Sequence, residues 1–343
     1  MPIDFRGSAS QSLASPDVDG RAPQKGNLPG ITELKRREGA THDLTRHQYY
    51  FVLGHLAILE TRSRKQRPPK MSQNIYDTPE FFANYSQIRR SREGLAGAVE
   101  WPRLQMLLPD LTGARVVDLG CGMGWYCRWM REHGAASVRG IDLSENMLTR
   151  AREMDKIGGH DGISYERADL DKIEVQQQLF PESDTSTVDF VFSSLAVHYF
   201  VNLPQLVPHV HRILKPGGTF VFSAEHPIFT APSGPGIVEI PVPRRQGAET
   251  GEETLRRVWP LNDYQIEGLR VTNWLADGVR KYHRTTASYI NILLDAGFEL
   301  TGFNEWHPTK EEIEANSLLA ADHPNDTIKP TFLLMRGTKK VPQ

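Results

Sequence analysis

Between residues 112 and 226 the chain alternates short apolar runs with longer stretches of mixed polarity. The runs at 116–119, 137–142, 163–170, 188–199 and 219–224 predict five strands, with helices between them. The first three close on a glycine or an acid. Farther on, 285–296 predicts a helix ended by Gly297, followed by strands at 299–306 and 331–336. Residues 227–284 break the rhythm: Pro and Gly come first, then Trp259, Tyr264, Trp274 and Tyr282. Within that stretch 270–276 and 279–284 flank Asp277-Gly278, a hairpin signal. Upstream, Asp77 or Thr78 followed by Pro79 and Glu80 predicts a capped helix start.

The chemistry concentrates at the first turn. Glycines recur at 120, 122 and 124 after Val116-Val-Asp-Leu119, and an amphipathic helix follows. A buried strand, a tight glycine turn and a helix N-terminus bring backbone N–H groups close to a ligand. A dinucleotide fingerprint would need glycine at 125, where Trp125 stands. Asp118 adds a carboxylate at the end of the strand, which suits an ammonium-bearing ligand better than a pyrophosphate. Asp142 closes the second strand, where an acid accepts hydrogen bonds from ribose hydroxyls; taken alone it fits a nicotinamide or an S-adenosyl ligand. Asp169 closes the third strand, placed to meet an adenine amino group.

Together and in this order, the five elements resemble the class I S-adenosylmethionine-dependent methyltransferases, in particular the small-molecule group called type 11, over residues 112–226. The resemblance implies an α/β fold: a Rossmann-like, mostly parallel seven-stranded sheet of order 3-2-1-4-5-7-6, with helices on both faces and an inserted cap. It implies S-adenosyl-L-methionine as cofactor. Asp118, Gly120 and Gly122 would hold its methionine part, with Cys121 a small residue that lets the backbone approach. Asp142 would take the ribose, Leu143 and Met147 would line the adenine, and Asp169 with Leu170 would meet its edge. Ser193 or Ser194 would lie beneath the sulfonium. Tyr76, Phe81, Phe82 and Tyr85 become lid candidates, and Arg89 or Arg90 could meet the cofactor carboxylate. His198 is the first candidate for taking a proton from the acceptor, given an ordinary imidazole pKa of about 6.5. His226 is the second, with Glu225 able to orient it or a cationic substrate.

Composition narrows the setting. The 343 residues carry a net charge of −2, so nothing global argues for nucleic acid. The two cysteines, Cys121 and Cys127, match neither a zinc pattern nor a disulfide framework, which fits a reducing cytoplasm and no metal site. The apolar segment 49–59 is too short to span a bilayer of about 30 Å. Expected boundaries are an appended tail at 1–70, lid helices at 71–111, the cofactor core at 112–226, a substrate cap at 227–284 and the rest of the core at 285–343. The expected partner is a small-molecule methyl acceptor. The rival readings are methylation of protein or RNA, and a cofactor-binding protein that has lost transfer.

Overall fold

The computed structural model describes residues 72–181, 183, 185–234, 236–241, 255–315 and 329–342. The expected tail at 1–70 lies outside the described residues, as does 242–254 of the expected cap.

Three short helices come first: α1 (Pro79–Tyr85), α2 (Arg89–Glu93) and α3 (Trp101–Gln105). Then β1 (Arg115–Leu119), α4 (Trp125–Glu132), β2 (Ser137–Asp142), α5 (Glu145–Gly158), β3 (Ile163–Arg167), α6 (Ile173–Leu179), β4 (Val188–Ser194), α7 (Leu203–Ile213) and β5 (Leu214–Glu225) follow in turn. A four-residue helix, α8 (Pro227–Thr230), leads to two hairpins, β6 (Val238–Pro241) with β7 (Leu255–Val258) and β8 (Gly268–Trp274) with β9 (Ala276–His283). The chain closes with α9 (Thr286–Asp295), β10 (Phe298–Trp306), α10 (Lys310–Ala315) and β11 (Phe332–Lys339).

The main sheet runs β3-β2-β1-β4-β5-β11-β10. Its first five strands are parallel, β11 is antiparallel to β5, and β10 is antiparallel to β11. The four cap strands account for the jump in numbering; without them this is the expected order. Successive β1 residues show why the runs read as apolar throughout. Val117 packs with Leu206, Val210, Phe220 and Tyr289 on one face, and Val116 with Leu104, Met130, Leu148 and Phe190 on the other. A strand covered on both faces has no polar side to show.

Two local expectations are corrected. The β8–β9 hairpin reverses at Leu275 (φ +61), with Trp274 paired to Ala276, not at Asp277-Gly278. Gly278 (φ +76) instead takes up a register shift between Thr272 and Trp274, the kind of bulge glycine accommodates. Asp77 does not cap the helix it precedes. It accepts hydrogen bonds from the Glu145 and Asn146 amides and from the Ser144 hydroxyl, so it caps α5 across the cofactor edge.

Candidate active site

The carboxyl ends of β1, β2, β4 and β5 open into a cavity of about 510 Å3. In open α/β sheets this edge is where ligands bind, because backbone and helix N-termini converge there. The glycine turn forms its floor. Gly120 has φ +75, and a Cβ there would lie 2.4 Å from Cβ of Ala196. Gly122 has φ +53 and nothing within 4 Å of where its Cβ would be, so its backbone faces open space. The first glycine therefore serves packing and the second leaves room for a ligand.

The three acids are placed differently. Asp142 lines the cavity and accepts from the Gly122 amide (2.8 Å) and the Ser144 amide (2.9 Å), bracing the turn against β2. Burial raises its carboxyl above the ordinary range. Asp169 also lines the cavity, in the loop just after β3, and accepts from the Ser72 hydroxyl at 2.5 Å. Asp118 lies beneath the turn and does not line the cavity. One of its oxygens accepts from the Cys127 thiol (3.2 Å) and the other, buried, has no partner. Burial pushes its carboxyl up to about 7, helped by the charge of Asp142. Cys121, Leu143, Met147 and Leu170 all line the cavity. Burial pushes the Cys121 thiol up to about 11, too high for a reactive thiolate.

Two pieces of chain cover the opening. Residues 72–85 form a strap tied on both sides. Toward the core, Ser72 holds Asp169, Asn74 reaches the Leu143 carbonyl and Asp77 caps α5. Toward the hairpin, Gln73 donates to the Gly278 carbonyl (2.9 Å) and accepts from the Arg280 amide (2.8 Å). Asn84 adds a bond to the Leu275 carbonyl. Tyr76 and Tyr85 line the cavity and pack edge-on with each other, Tyr76 also meeting Tyr199 and Tyr85 meeting Trp274. Phe81 lies buried behind them, and Phe82 does not line the cavity.

Besides Asp118, expected at the methionine part but lying off the cavity, four further sequence expectations meet a different geometry. Ser193 donates to the Leu119 carbonyl (2.7 Å) inside the sheet, so it is Ser194 that lines the cavity. His226 is also turned away. Its Nδ1 accepts from the Ile228 amide as the cap of α8, and its Nε2 meets Glu305 at 2.9 Å. His198 lines the cavity, but its Nδ1 accepts from the Glu225 amide at 3.3 Å. Burial pushes its pKa down to about 4, so the ring is neutral at pH 7 with its proton on Nε2. Low basicity and an occupied Nδ1 both count against the proton-accepting role the sequence pointed to. Arg90 lines the cavity with both terminal nitrogens 2.7 Å from Glu100, whereas Arg89 pairs with Glu93 away from it.

These residues fit an S-adenosyl cofactor. Gly122 leaves an open cradle, Asp142 and Asp169 flank it, and the buried indole N–H of Trp125 has no partner in the same wall. An unpaired buried donor is costly unless a ligand supplies an acceptor. The sequence used Trp125 only to reject a dinucleotide, and its position at the start of α4 was the available sign. Among the described residues no cluster of His, Cys, Asp and Glu could hold a metal ion, and no helix is long and apolar enough to cross a membrane.

Comparison with known proteins agrees with this geometry. A family model described as a methyltransferase domain (Methyltransf_11) matches residues 117–222. The crystal structure of an S-adenosylmethionine-dependent methyltransferase from Mesorhizobium loti is 45% identical, with a TM-score of 0.59; the match covers 72% of this chain and all of that one. An uncharacterized protein of Haemophilus influenzae is 35% identical over 235 residues, 68% of this chain and 85% of its own length. A malonyl-[acyl-carrier protein] O-methyltransferase of Pectobacterium atrosepticum is 36% identical over 121 residues, which is 35% of this chain and 42% of the relative. The chain belongs to the S-adenosylmethionine-dependent methyltransferases, and S-adenosyl-L-methionine is its cofactor.

Proposed function

We propose that this methyltransferase acts on a small organic acceptor held under the strap and the β8–β9 hairpin. The observation that carries this reading is one continuous cavity with two characters. Its core end is formed by the glycine turn and carboxylates; its outer end is walled by Tyr76, Tyr85, Tyr199, Phe229 and Trp274. A space of about 510 Å3 has to hold cofactor and acceptor together, which favours a small acceptor over a protein or RNA chain.

When bound, the cofactor supplies an activated methyl group on a sulfonium. The protein's part is to orient the partners and exclude water. We assign Asp142, Leu143 and Met147 to the nucleoside, Asp169 and Leu170 to the base edge, and the 120–122 turn with Trp125 to the amino-acid part. Tyr76 and Tyr85 close over both partners, and Asp118 supports the turn from below. The likeness to the malonyl-[acyl-carrier protein] enzyme spans less than half of that relative, so it is no guide to the acceptor. Cys121 and Cys127 are both free, in keeping with a reducing cytoplasm.

Calorimetric titration with S-adenosylmethionine, S-adenosylhomocysteine and NAD tests the cofactor end. Micromolar binding of the first two and none of NAD is expected. Labelled-methyl transfer to protein or RNA, with none to small molecules, would refute the acceptor reading.

A further inference from the structure

Beneath the aromatic wall lies an ion pair that cofactor binding does not require. Glu225 ends β5 and lines the cavity; one of its oxygens accepts from Lys281 Nζ at 2.5 Å. Lys281 comes from β9, is 4% exposed, and sits 5.0 Å from the centre of the Trp274 ring. The other carboxylate oxygen, Oε2, is buried without a partner. So is the Thr331 hydroxyl, on the neighbouring strand edge and in the same wall. His198 joins the cluster through its bond to the Glu225 amide and carries its proton on Nε2.

Desolvating two charges costs several kcal/mol per ion, and leaving one oxygen unmatched adds to that cost. Such an arrangement makes physical sense if a ligand completes it. Lys281 already pairs with Glu225 and Lys329 adds a second positive charge nearby, so a cation gains nothing there, while an anion would meet the carboxylate itself. What is missing is a neutral hydrogen-bond donor at Oε2. Burial works to raise the Glu225 carboxyl, but Lys281 and the neighbouring groups hold it below its ordinary range, so it stays ionised and able to accept.

Building on the small-acceptor reading, we infer that Glu225 receives the acceptor's O–H or N–H group, and that the acceptor is a neutral phenol- or aromatic-amine-type compound whose ring lies against Trp274 and the tyrosines. On transfer the acceptor heteroatom gains the methyl carbon. Its O–H or N–H bond breaks with the electron pair staying on the heteroatom, the proton passes to Oε2, and the sulfonium is discharged to a neutral thioether. The positive charge lost from the sulfonium is then carried by Lys281 beside a neutral Glu225 until the proton leaves to water; Lys281 itself only holds the carboxylate in place and is a positioning residue. Glu225 takes over the proton-accepting role that the sequence pointed to in His198.

The test titrates protein saturated with S-adenosylhomocysteine with 4-methylphenol, aniline and benzoate, and follows methyl transfer from labelled S-adenosylmethionine. The phenol or the aniline should bind and give an alkali-stable methylated product, as an ether or N-methyl group is. Glu225→Gln should weaken that binding at least tenfold, because a neutral amide accepts a hydrogen bond more weakly than a carboxylate, and slow turnover at least a hundredfold, because it takes no proton. S-adenosylhomocysteine affinity should hold within about twofold in this variant and in Glu225→Gln/Lys281→Met, which removes both buried charges and so guards against misfolding. Preference for benzoate, an alkali-labile methyl ester, silence from both neutral probes, or full activity in Glu225→Gln would overturn the assignment. Labelled-methyl transfer to protein or RNA, with none to any small molecule, would overturn the small-acceptor reading instead.

Discussion

The two ends of the cavity are built on different principles. At the cofactor end, position is set by the backbone: Gly122 and Ser144 amides on Asp142, a glycine turn at positive φ, and strands paired in register. At the acceptor end, position is set by side chains that reach across long stretches of chain, Gln73 to Gly278 and Arg280, Lys281 to Glu225, Asn84 to Leu275. A backbone site tolerates little change but holds one ligand reliably. A side-chain site can be rebuilt for a new acceptor without touching the cofactor.

The sharpest way to break this contrast is at the glycines. Gly120→Ala places a Cβ 2.4 Å from Ala196 at φ +75, so the turn must move. Cofactor affinity should fall more than about a thousandfold, or about 4 kcal/mol. Gly122→Ala meets no atom within 4 Å. Its left-handed backbone costs only about 1–2 kcal/mol, so thermal stability should drop modestly while calorimetry shows weakened cofactor binding. Equal loss of fold in both variants would contradict the division between packing glycine and ligand glycine.

Next in size are opposite pH dependences at the two ends. Burial raises Asp118 to about 7 and lowers His198 to about 4. For Asp118 the folded pKa exceeds the unfolded one, so its contribution is fully present below about pH 4 and is lost as pH rises through 7. Relative to low pH, the unaltered protein should lose about 4 kcal/mol at that site, and Asp118→Asn should be the more stable chain at pH 8. For His198 the folded pKa lies below the unfolded value of about 6.5, so about 3 kcal/mol is present above that pH and lost as pH falls through 4. Between pH 4 and 6.5 the His198 gain offsets most of the Asp118 loss, so denaturant midpoints should fall more steeply with rising pH in His198→Asn than in the unaltered protein.

The contrast also explains what could be read from the chain alone. The cofactor end was legible because its parts are contiguous: each acid lies at or just past the end of its own strand, and Gly120 to Gly124 is a single turn. The errors arose where one residue of parity or one long-range partner decides. Ser193 and Ser194 are indistinguishable in sequence, and only the pleat of β4 sends the first to the Leu119 carbonyl. His226 sits at the right strand end, yet the α8 amide and Glu305 claim it. Gln73 and Lys281 carried no local mark, and the cap signal at Asp77 pointed to the wrong helix, since the partners of all three lie far along the chain.

A mid-sized effect falls on Asp142. Asp142→Ala removes the acceptor of two backbone amides, so cofactor binding should weaken by about 1–3 kcal/mol. Because the glycine turn is braced by the same carboxylate, titration with S-adenosylhomocysteine should show the loss even without an acceptor. Unchanged affinity would mean that the turn holds its shape without β2.

The smallest predicted effect separates the two ends most cleanly. Gln73→Ala removes two of the three hydrogen bonds between strap and hairpin, leaving Asn84 to Leu275, and none of the contacts that Ser72 and Asp77 make with the core. Two partly exposed hydrogen bonds are worth about 1–2 kcal/mol together. If the ends are independent, KM for the acceptor should rise roughly tenfold while cofactor affinity stays within about twofold. Equal weakening of both would show instead that the strap transmits closure, since Gln73 and Asp77 lie only four residues apart on it. A double-mutant cycle with Asp77→Ala measures that coupling directly: near-zero interaction energy leaves the strap as two separate ties, and a value above about 0.5 kcal/mol makes it one device serving both ligands.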